Sequence, residues 1–512
     1  MGENTNSKTI AKNTIFLYFR MMFTMLVSLY TSRVILQVLG IDDFGLYQAV
    51  GGIVLLLSFV NGALSTGSSR FLTFELGTGN FKKLKDTFSS VLTVHIILAV
   101  IIVLIAETVG LWFVYNKLVI PIDRLEASVI VYHLSIITAI ITITQVPYNA
   151  SIISHERMNI YAYMSIIEVL LKLGIVYLLK VGSFDKLVLY AILLCLVQIG
   201  IALFYRYYCI KHFSETRYEF VWDSKIIKDV LGYSGWNLIA NTAHALNNQG
   251  ATILINLFFS PAIVSARAIA NQVNMAANQF ISNFRTASNP QIVKKYAAGD
   301  FDGSKKLLLV STLFSFYLMY VLCLPICLVS KELLSVWLVD VPEYTVEFLQ
   351  LTIITSLFQV FDTSFYTALY AKGRIKENAL ICPTTGLLVF PIVYIMFKFG
   401  LSPICLAWAL MAHYALNGII IKPYLIHRIV DYGWKEIWLV FFSCSKVCVL
   451  SLPIPLITSG YIHSTLGYSF TSLLLISVIS IISVSVSVWL VGLSPKMKNM
   501  IINYLFKKIG NR

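Results

Sequence analysis

Apolar residues come in long blocks along this chain, and each block ends at a short polar connection. A helix needs roughly twenty mostly apolar residues to cross a hydrocarbon core of about 30 Å, and the blocks have that length. The pattern predicts about fourteen spans, at 13–38, 45–71, 88–114, 127–150, 159–180, 187–208, 229–257, 262–288, 307–329, 345–369, 377–398, 402–424, 437–458 and 467–492. Peptide groups in lipid must find partners within the chain, so continuous segments of this kind read as α-helices and not as barrel strands. The expected fold class is all-α, a polytopic membrane protein.

Polar residues inside the spans carry the chemistry. In and just after the eighth span Arg267, Asn271, Asn274, Asn278, Ser282, Arg285 and Asn289 follow one another at spacings of 4, 3, 4, 4, 3 and 4. On a helix they share an arc of about 80°. The two arginines are 18 residues apart, which is roughly 27 Å at the helical rise. In the seventh span Asn237, Asn241, His244 and Asn248 share a face in the same way. Buried amides can pair across helices as glue, or they can line a water-filled cavity. A continuous stripe ended by arginines favours the cavity. In the first span Arg20, Thr24, Ser28 and Thr31 share a face, while Arg33 suits the outer interface near Asp42 and Asp43. Arg70 closes the second span below a small-residue run, where it either faces the cavity or snorkels to the interface.

Charge inside a membrane is costly and usually functional. Here the excess is arginine, whose planar fork grips phosphate oxygens and never loses its proton. A cavity lined by Arg20, Arg70, Arg267 and Arg285 suits a phosphorylated or otherwise anionic substrate. Organic cations call for buried carboxylates, and these are few. Glu168 and Lys172 are four residues apart in the fifth span and are expected to pair. Asp362 in the tenth span and Glu107 in the third remain. Asp362 and Glu168 are the candidates for ion coupling. His95, His133 and His413 are isolated and read as hydrogen-bonded packing residues.

Composition agrees with this picture: 58% of residues are hydrophobic and 12% charged, against roughly 25% charged in soluble domains. The net charge of +14 is unevenly placed. Alternate connections hold Lys82, Lys83 and Lys85; Lys211, Arg217, Lys225 and Lys228; Lys294, Lys295, Lys305 and Lys306; Lys372, Arg374 and Lys376; and Arg428 and Lys435. The other set is sparse in basic residues: it has Asp42 and Asp43, then Lys117 and Arg124, Lys180 and Lys186, Lys331, and Lys398. The positive-inside rule makes the first set cytoplasmic and puts both termini inside. The basic balance thus reports topology and anionic membrane lipids, not nucleic acid. The polar start, Met1 to Lys12, lacks a signal-peptide pattern, so the first span is expected to be retained. The eight cysteines sit in or beside spans with no zinc spacing. No Gly-Lys-Ser/Thr phosphate loop or nucleophile elbow occurs, so no cofactor, metal or enzyme site is expected.

A faint repeat appears at a shift of 220 residues: Gly79-Asn80-Phe81 falls on Gly299-Asp300-Phe301, and Thr66, Ser68 and Lys85 fall on Thr286, Ser288 and Lys305. Two parallel six-helix halves are a known transporter plan. The expected division is a six-helix lobe over 1–208, a second over 209–434, two further helices over 435–493, and an amphipathic cytoplasmic tail over 494–512.

Several segments resemble one family. They are Leu17-Tyr18-Phe19-Arg20, Tyr30-Thr31-Ser32-Arg33, Leu39-Gly40-Ile41-Asp42-Asp43-Phe44-Gly45 and Arg70-Phe71 in the first two spans. Ser234-Gly235-Trp236-Asn237, Ala266-Arg267-Ala268-Ile269-Ala270 and Asn289-Pro290-Gln291-Ile292 open and bracket the seventh and eighth. The set resembles the Wzx-type polysaccharide-biosynthesis flippases, relatives of multidrug extruders and lipid II flippases. The resemblance implies two six-helix lobes around a central cavity open alternately to each side of a bacterial inner membrane. It also implies an undecaprenyl-pyrophosphate-linked oligosaccharide as cargo, for O-antigen or capsule, with polysaccharide polymerase and other assembly proteins as partners. The arginines would then hold the pyrophosphate, and Asn271, Asn274, Asn278, Asn237, Asn241 and His244 the sugars. Two alternatives stay open: a cation-coupled multidrug exporter of the same fold, and a polysaccharide polymerase or ligase.

The loop charges make a direct prediction. Cysteines placed at Lys83 and Lys372 should react with an impermeant thiol reagent only from the cytoplasm, and one at Asp42 only from outside. Labelling of the Lys83 and Asp42 sites from one side would overturn the span count.

Overall fold

Each apolar block closes its own backbone hydrogen bonds as a helix, and short polar caps set where it starts and stops. The computed structural model describes residues 22–57, 60–155, 157–180, 184–224, 227–228, 246–374, 376–495 and 497–499. Among them every regular element is helical. The first part of the chain holds α1 (Met22–Leu39), α2 (Ile41–Leu57), α3 (Val60–Thr78), α4 (Phe81–Asn116), α5 (Leu125–Ser154), α6 (Met158–Leu178), α7 (Lys186–His212) and α8 (Ala251–Phe258). Then come α9 (Pro261–Ala297), α10 (Phe301–Leu328), α11 (Ser330–Trp337), α12 (Thr345–Lys372), α13 (Lys376–Lys398), α14 (Cys405–Val430), α15 (Trp434–Ser451), α16 (Pro453–Leu466) and α17 (Phe470–Ser487). Ten of the described helical stretches are long and apolar enough to cross a membrane. The protein is an all-α, multi-pass membrane protein. Short α11, between the ninth and tenth spans, was not foreseen from the apolar pattern.

The polarity of the surface and the interior is reversed from that of a water-soluble bundle. Leu104, Leu388, Leu439, Val449, Ile457 and Val478 are exposed, while Ser89, Ser90, Thr312, Ser315, Ser451 and Ser480 are buried. Water would penalise that outer shell, whereas lipid accepts it, and small hydroxyl residues let helices approach closely inside. Several buried hydroxyls donate to their own helix, as Thr312 does to Leu308 O and Ser480 to Ile476 O.

The chain divides into two compact units, Met1–Ala268 and Ile269–Arg512, with the boundary inside α9. In the first unit α5 packs on α2, α3, α4 and α7. Leu72, Phe88, Tyr148, Ile152 and Tyr205 form its largest described core, and the rings of Phe88 and Tyr148 meet edge to face at 5.3 Å. Gly45 is needed where α2 meets the start of α9: a Cβ there would lie 1.9 Å from the Pro261 carbonyl oxygen. In the second unit α12 packs on α10 and α14, and Phe361 stacks between Phe316 and Phe441 at 5.2 and 4.6 Å. Gly418 lets α14 approach α12 closely, since a Cβ would lie 2.6 Å from Phe358 O.

The 220-residue repeat has a local structural counterpart. Gly79 and Gly299 both take positive φ, 72° and 81°. The next residues, Asn80 and Asp300, cap α4 and α10 by accepting from the N–H groups of Lys83 and Gly303 at 3.0 and 2.9 Å. A glycine in the left-handed region followed by a side-chain cap ends one helix and starts the next in three residues. The Lys295 ammonium, with the Gly303 N–H, holds the Asp300 carboxyl below its usual range.

Contacts between connections follow the alternation of charge. On the sparse side Arg124 grips Asp43 and Asp185, joining the connections before α2, α5 and α7. Asp43 thus pairs with Arg124. In the second unit Glu332 of α11 pairs with His463 at 2.5 Å. On the basic side Lys85 pairs with Glu219, and His155 with Glu215 at 2.6 Å.

Candidate functional site

The second unit has a polar centre in the interior of its helices. Asp362 on α12 lies 3.1 Å from the Lys422 ammonium on α14. Lys422 is only 3% exposed and sits 5.0 Å from the centroid of the Tyr366 ring, a cation–π contact that spreads its charge over an apolar neighbour. A π-turn over Leu416–Ile421 precedes Lys422 and re-aims the helix there. On that helix Asn417 donates to Thr385 Oγ1 of α13 at 3.0 Å and meets the His413 ring at 3.1 Å. Arg285 on α9 donates to the carbonyl of Thr363 and lies within electrostatic reach of Asp362. Two fixed cations, Arg285 and Lys422, therefore face one carboxylate, which leaves one positive charge over among the described residues. A buried ion that loses its partner costs several kcal/mol, so this centre favours an incoming anion over a cation.

The polar stripe on α9 is largely engaged by α12. Ser356 donates to Asn274 Oδ1 at 2.5 Å, and Asn278 donates to Ser356 Oγ at 3.0 Å. Further along, Arg285 reaches Thr363, and Thr367 Oγ1 lies 3.4 Å from Asn289 Oδ1. The pairs 278–356, 285–363 and 289–367 all have the same separation of 78. A constant offset means the two helices run parallel, with steps of seven and four that keep one seam in contact. Asn271 is half-buried on the same helix. In the first unit Arg267 is 6% exposed and donates to Thr252 Oγ1 of α8 at 2.7 Å.

The first unit also has an open pocket of about 220 Å³ lined by α2, α5 and α7. Its polar lining is uncharged: Tyr47, Gln48, Ser135, Thr138 and Thr142. Each α5 hydroxyl donates to the carbonyl four residues back, as Thr138 does to Leu134 O at 2.8 Å. That leaves the oxygen lone pairs to accept from a guest.

Sequence comparison assigns residues 10–295 to the family described as polysaccharide biosynthesis protein. The chain belongs to that family. A second family, MatE, matches residues 245–395. No curated protein matches the chain significantly. Among solved structures it is similar to a lipid II flippase, MurJ, in an inward closed conformation, with a TM-score of 0.68 at 13% identity, covering 92% of this chain and 98% of that one. It is also similar to an inward-facing multidrug resistance MATE family transporter of the MOP superfamily, with 0.66 at 15% identity, 81% of this chain and 98% of that one. A MOP superfamily transporter from Pyrococcus furiosus, described as having a binding pocket of reverse polarity, gives 0.59 at 15%, 82% and 95%. These likenesses establish that the chain shares the fold of these structures.

Not every residue singled out from the sequence is in view. Arg20, Asn237, Asn241 and His244 lie outside the described residues, and of Arg70 the structure describes only its place in α3. Glu168 and Lys172 pair at 2.6 Å, as their spacing predicts. His95 and His133 bond to carbonyls four residues back, and His133 also lies 3.4 Å from Glu107. Two cations escaped the sequence reading. Lys422 stood inside the twelfth span, where any lysine is a signal, and was passed over. Arg206 falls close to the end of the sixth span, where a basic residue carries no signal of its own. It donates to Thr144 Oγ1 at 2.6 Å and lies 5.7 Å from the Tyr148 ring, with no acidic partner among the described residues.

The buried pair predicts a pattern of stability. Lys422→Met takes the 3.1 Å partner from Asp362 and leaves only Arg285 within reach of it, so it should cost up to about 3 kcal/mol, seen as lost yield and a lower melting temperature. Adding Asp362→Asn should recover most of that loss. Equal stability of the single and double variants would show that the two groups do not depend on each other.

Proposed function

We propose that the protein moves a polyprenyl-pyrophosphate-linked oligosaccharide from the cytoplasmic to the outer leaflet of a bacterial inner membrane, for O-antigen or capsule assembly. The observation that carries this reading is the surplus of fixed cation over carboxylate around Arg285, Lys422 and Asp362. A pyrophosphate brings the missing negative charge, and a planar guanidinium receives its oxygens two at a time. Membership of the polysaccharide biosynthesis protein family supports the same cargo class. The uncharged cavity of the first unit, with hydroxyls free to accept, suits sugar hydroxyls, which donate and accept in equal measure. Arg20, Arg70, Arg267, Asn271, Asn274, Asn278, Asn237, Asn241 and His244 complete the proposed binding set. The lipid tail stays in the bilayer while one lobe rocks against the other. Polymerase and other assembly proteins are its expected partners.

Ion coupling, on this reading, runs through Asp362 or Glu168. Both carboxylates already have a lysine, at 3.1 and 2.6 Å. A coupling proton or cation would therefore act by opening a pair rather than by filling a vacant site. A second reading, a multidrug exporter, is favoured by the MatE match over 245–395 and by the likeness to a multidrug resistance transporter.

Substitution at Arg285 separates the two. Arg285→Ala should abolish export of the surface glycan while the protein still inserts, and Arg285→Lys should restore it only in part because an ammonium lacks the fork. Full glycan export by Arg285→Ala would remove the phosphate clamp.

A further inference from the structure

A second pocket, of about 260 Å³, lies well away from the polar centre, at the basic end of the second unit. Its walls come from the end of α9, the start of α10, the last turn of α12 and the residues just after α14. Lys372 is ten residues beyond Asp362 along α12, or about 15 Å. Two ammoniums converge there. Lys305 donates to the Asp431 carbonyl at 2.7 Å, and Lys372 to the Ile429 carbonyl at 2.5 Å. Capping the carbonyls at a helix C-terminus explains why they point that way. It does not explain the open space beside them, nor its aromatic walls. Each ammonium has three donors, so each has others to offer a guest.

The only acid lining the pocket among the described residues, Asp431, is a weak competitor. Its carboxylate is 83% exposed and 3.9 Å from Lys372. Its backbone sits in the left-handed region, φ 60°, which turns the chain sharply after α14 and opens the space between Lys305 and Lys372. The rings of Tyr296 and Phe301 meet at 4.9 Å on one wall, and Tyr432 lies 5.6 Å from the Lys305 ammonium on the other. Phe301 is 52% exposed at the start of a membrane-crossing helix. Aromatic rings at helix ends belong at the head-group level, with one edge in the acyl region. Lys294, Lys306, Lys376 and Arg428 surround the same end without lining the pocket.

We propose that this pocket binds the phosphate of an anionic membrane phospholipid, with Lys305 and Lys372 on the phosphate oxygens and Phe301 against the glycerol and upper acyl chain. Basic pockets between helices on the cytoplasmic side take lipid head groups in this way. A free phosphate shares the charge but gains nothing from the apolar wall, so the lipid is the favoured source. Occupancy would tie α10, α12 and α14 together at one end, independently of what the transport site carries.

The test uses the full chain purified in detergent, with phosphatidylglycerol, phosphatidylcholine or inorganic phosphate added and binding read by native mass spectrometry and melting temperature. Phosphatidylglycerol should bind and stabilise, and phosphatidylcholine should not. A membrane-facing lysine is worth roughly fivefold in binding, so Lys305→Gln with Lys372→Gln should weaken it about twenty-five-fold. Glutamine still donates to the carbonyls, and a monodisperse gel-filtration peak shows that the fold survives. Lys294→Gln with Lys306→Gln removes the same charge outside the pocket and should leave binding in place. Equal loss in both pairs, no loss in the first, or stabilisation by inorganic phosphate matching that by the lipid would overturn the proposal.

Discussion

Hydrocarbon has no water to offer a peptide group, and an unpaired polar group there costs several kcal/mol. That single constraint decides which residues of this protein can sit where. The backbone closes on itself in helices. Leucine, isoleucine and valine turn outward, and the few polar side chains turn inward to find each other. A hydroxyl can be satisfied by a turn of its own helix, as Thr312 and Ser480 are. The larger polar groups are not, and their partners must come from another helix. Asn278 therefore meets Ser356, Arg285 meets Thr363, and Asp362 meets Lys422.

These contacts differ in strength, and the difference bears on transport. A hydrogen bond between membrane helices is worth about 0.6 kcal/mol on average. The four hydrogen bonds along the α9–α12 seam thus total roughly 2–2.5 kcal/mol, little enough to be exchanged for contacts with a guest. The Asp362–Lys422 pair is another matter, because separating two buried charges costs several kcal/mol unless something replaces each partner. The seam is the part suited to open, and the ion pair is the part that needs a charged ligand or proton before it can. Arg285 belongs to both, since it lies in the seam and faces the pair.

Much of this was visible in the sequence because it depends on local pattern. Apolar block length gave the helices, and lysine placement grouped the connections that Arg124, Lys85 and His155 later join. The Glu168–Lys172 pair follows from spacing alone, and so does the matching Gly-Asn and Gly-Asp cap at 79–80 and 299–300. What stayed hidden depends on which helices are neighbours. The stripe on α9 could be seen, but nothing local says that Ser356, Thr363 and Thr367 face it. Their spacing of seven and four on α12 matches the stripe, and a search for paired polar registers between spans would have found them. Lys422 was legible by the cost of a lysine inside a span. Arg206 was not, because a basic residue near a helix end reads as an interface residue until Thr144 and Tyr148 are seen beside it.

The central claim is that the interior surplus of positive charge selects a pyrophosphate-linked glycolipid. The most direct measurement follows transbilayer movement in proteoliposomes of the purified full chain, comparing a fluorescent polyprenyl-pyrophosphate oligosaccharide with the same glycolipid lacking phosphate and with a cationic dye. Protein-dependent movement of the pyrophosphate-linked glycolipid, inhibited by soluble pyrophosphate-linked sugar and indifferent to the dye, is the predicted result. Movement of the dye alone, or of both glycolipids at equal rates, would contradict the account.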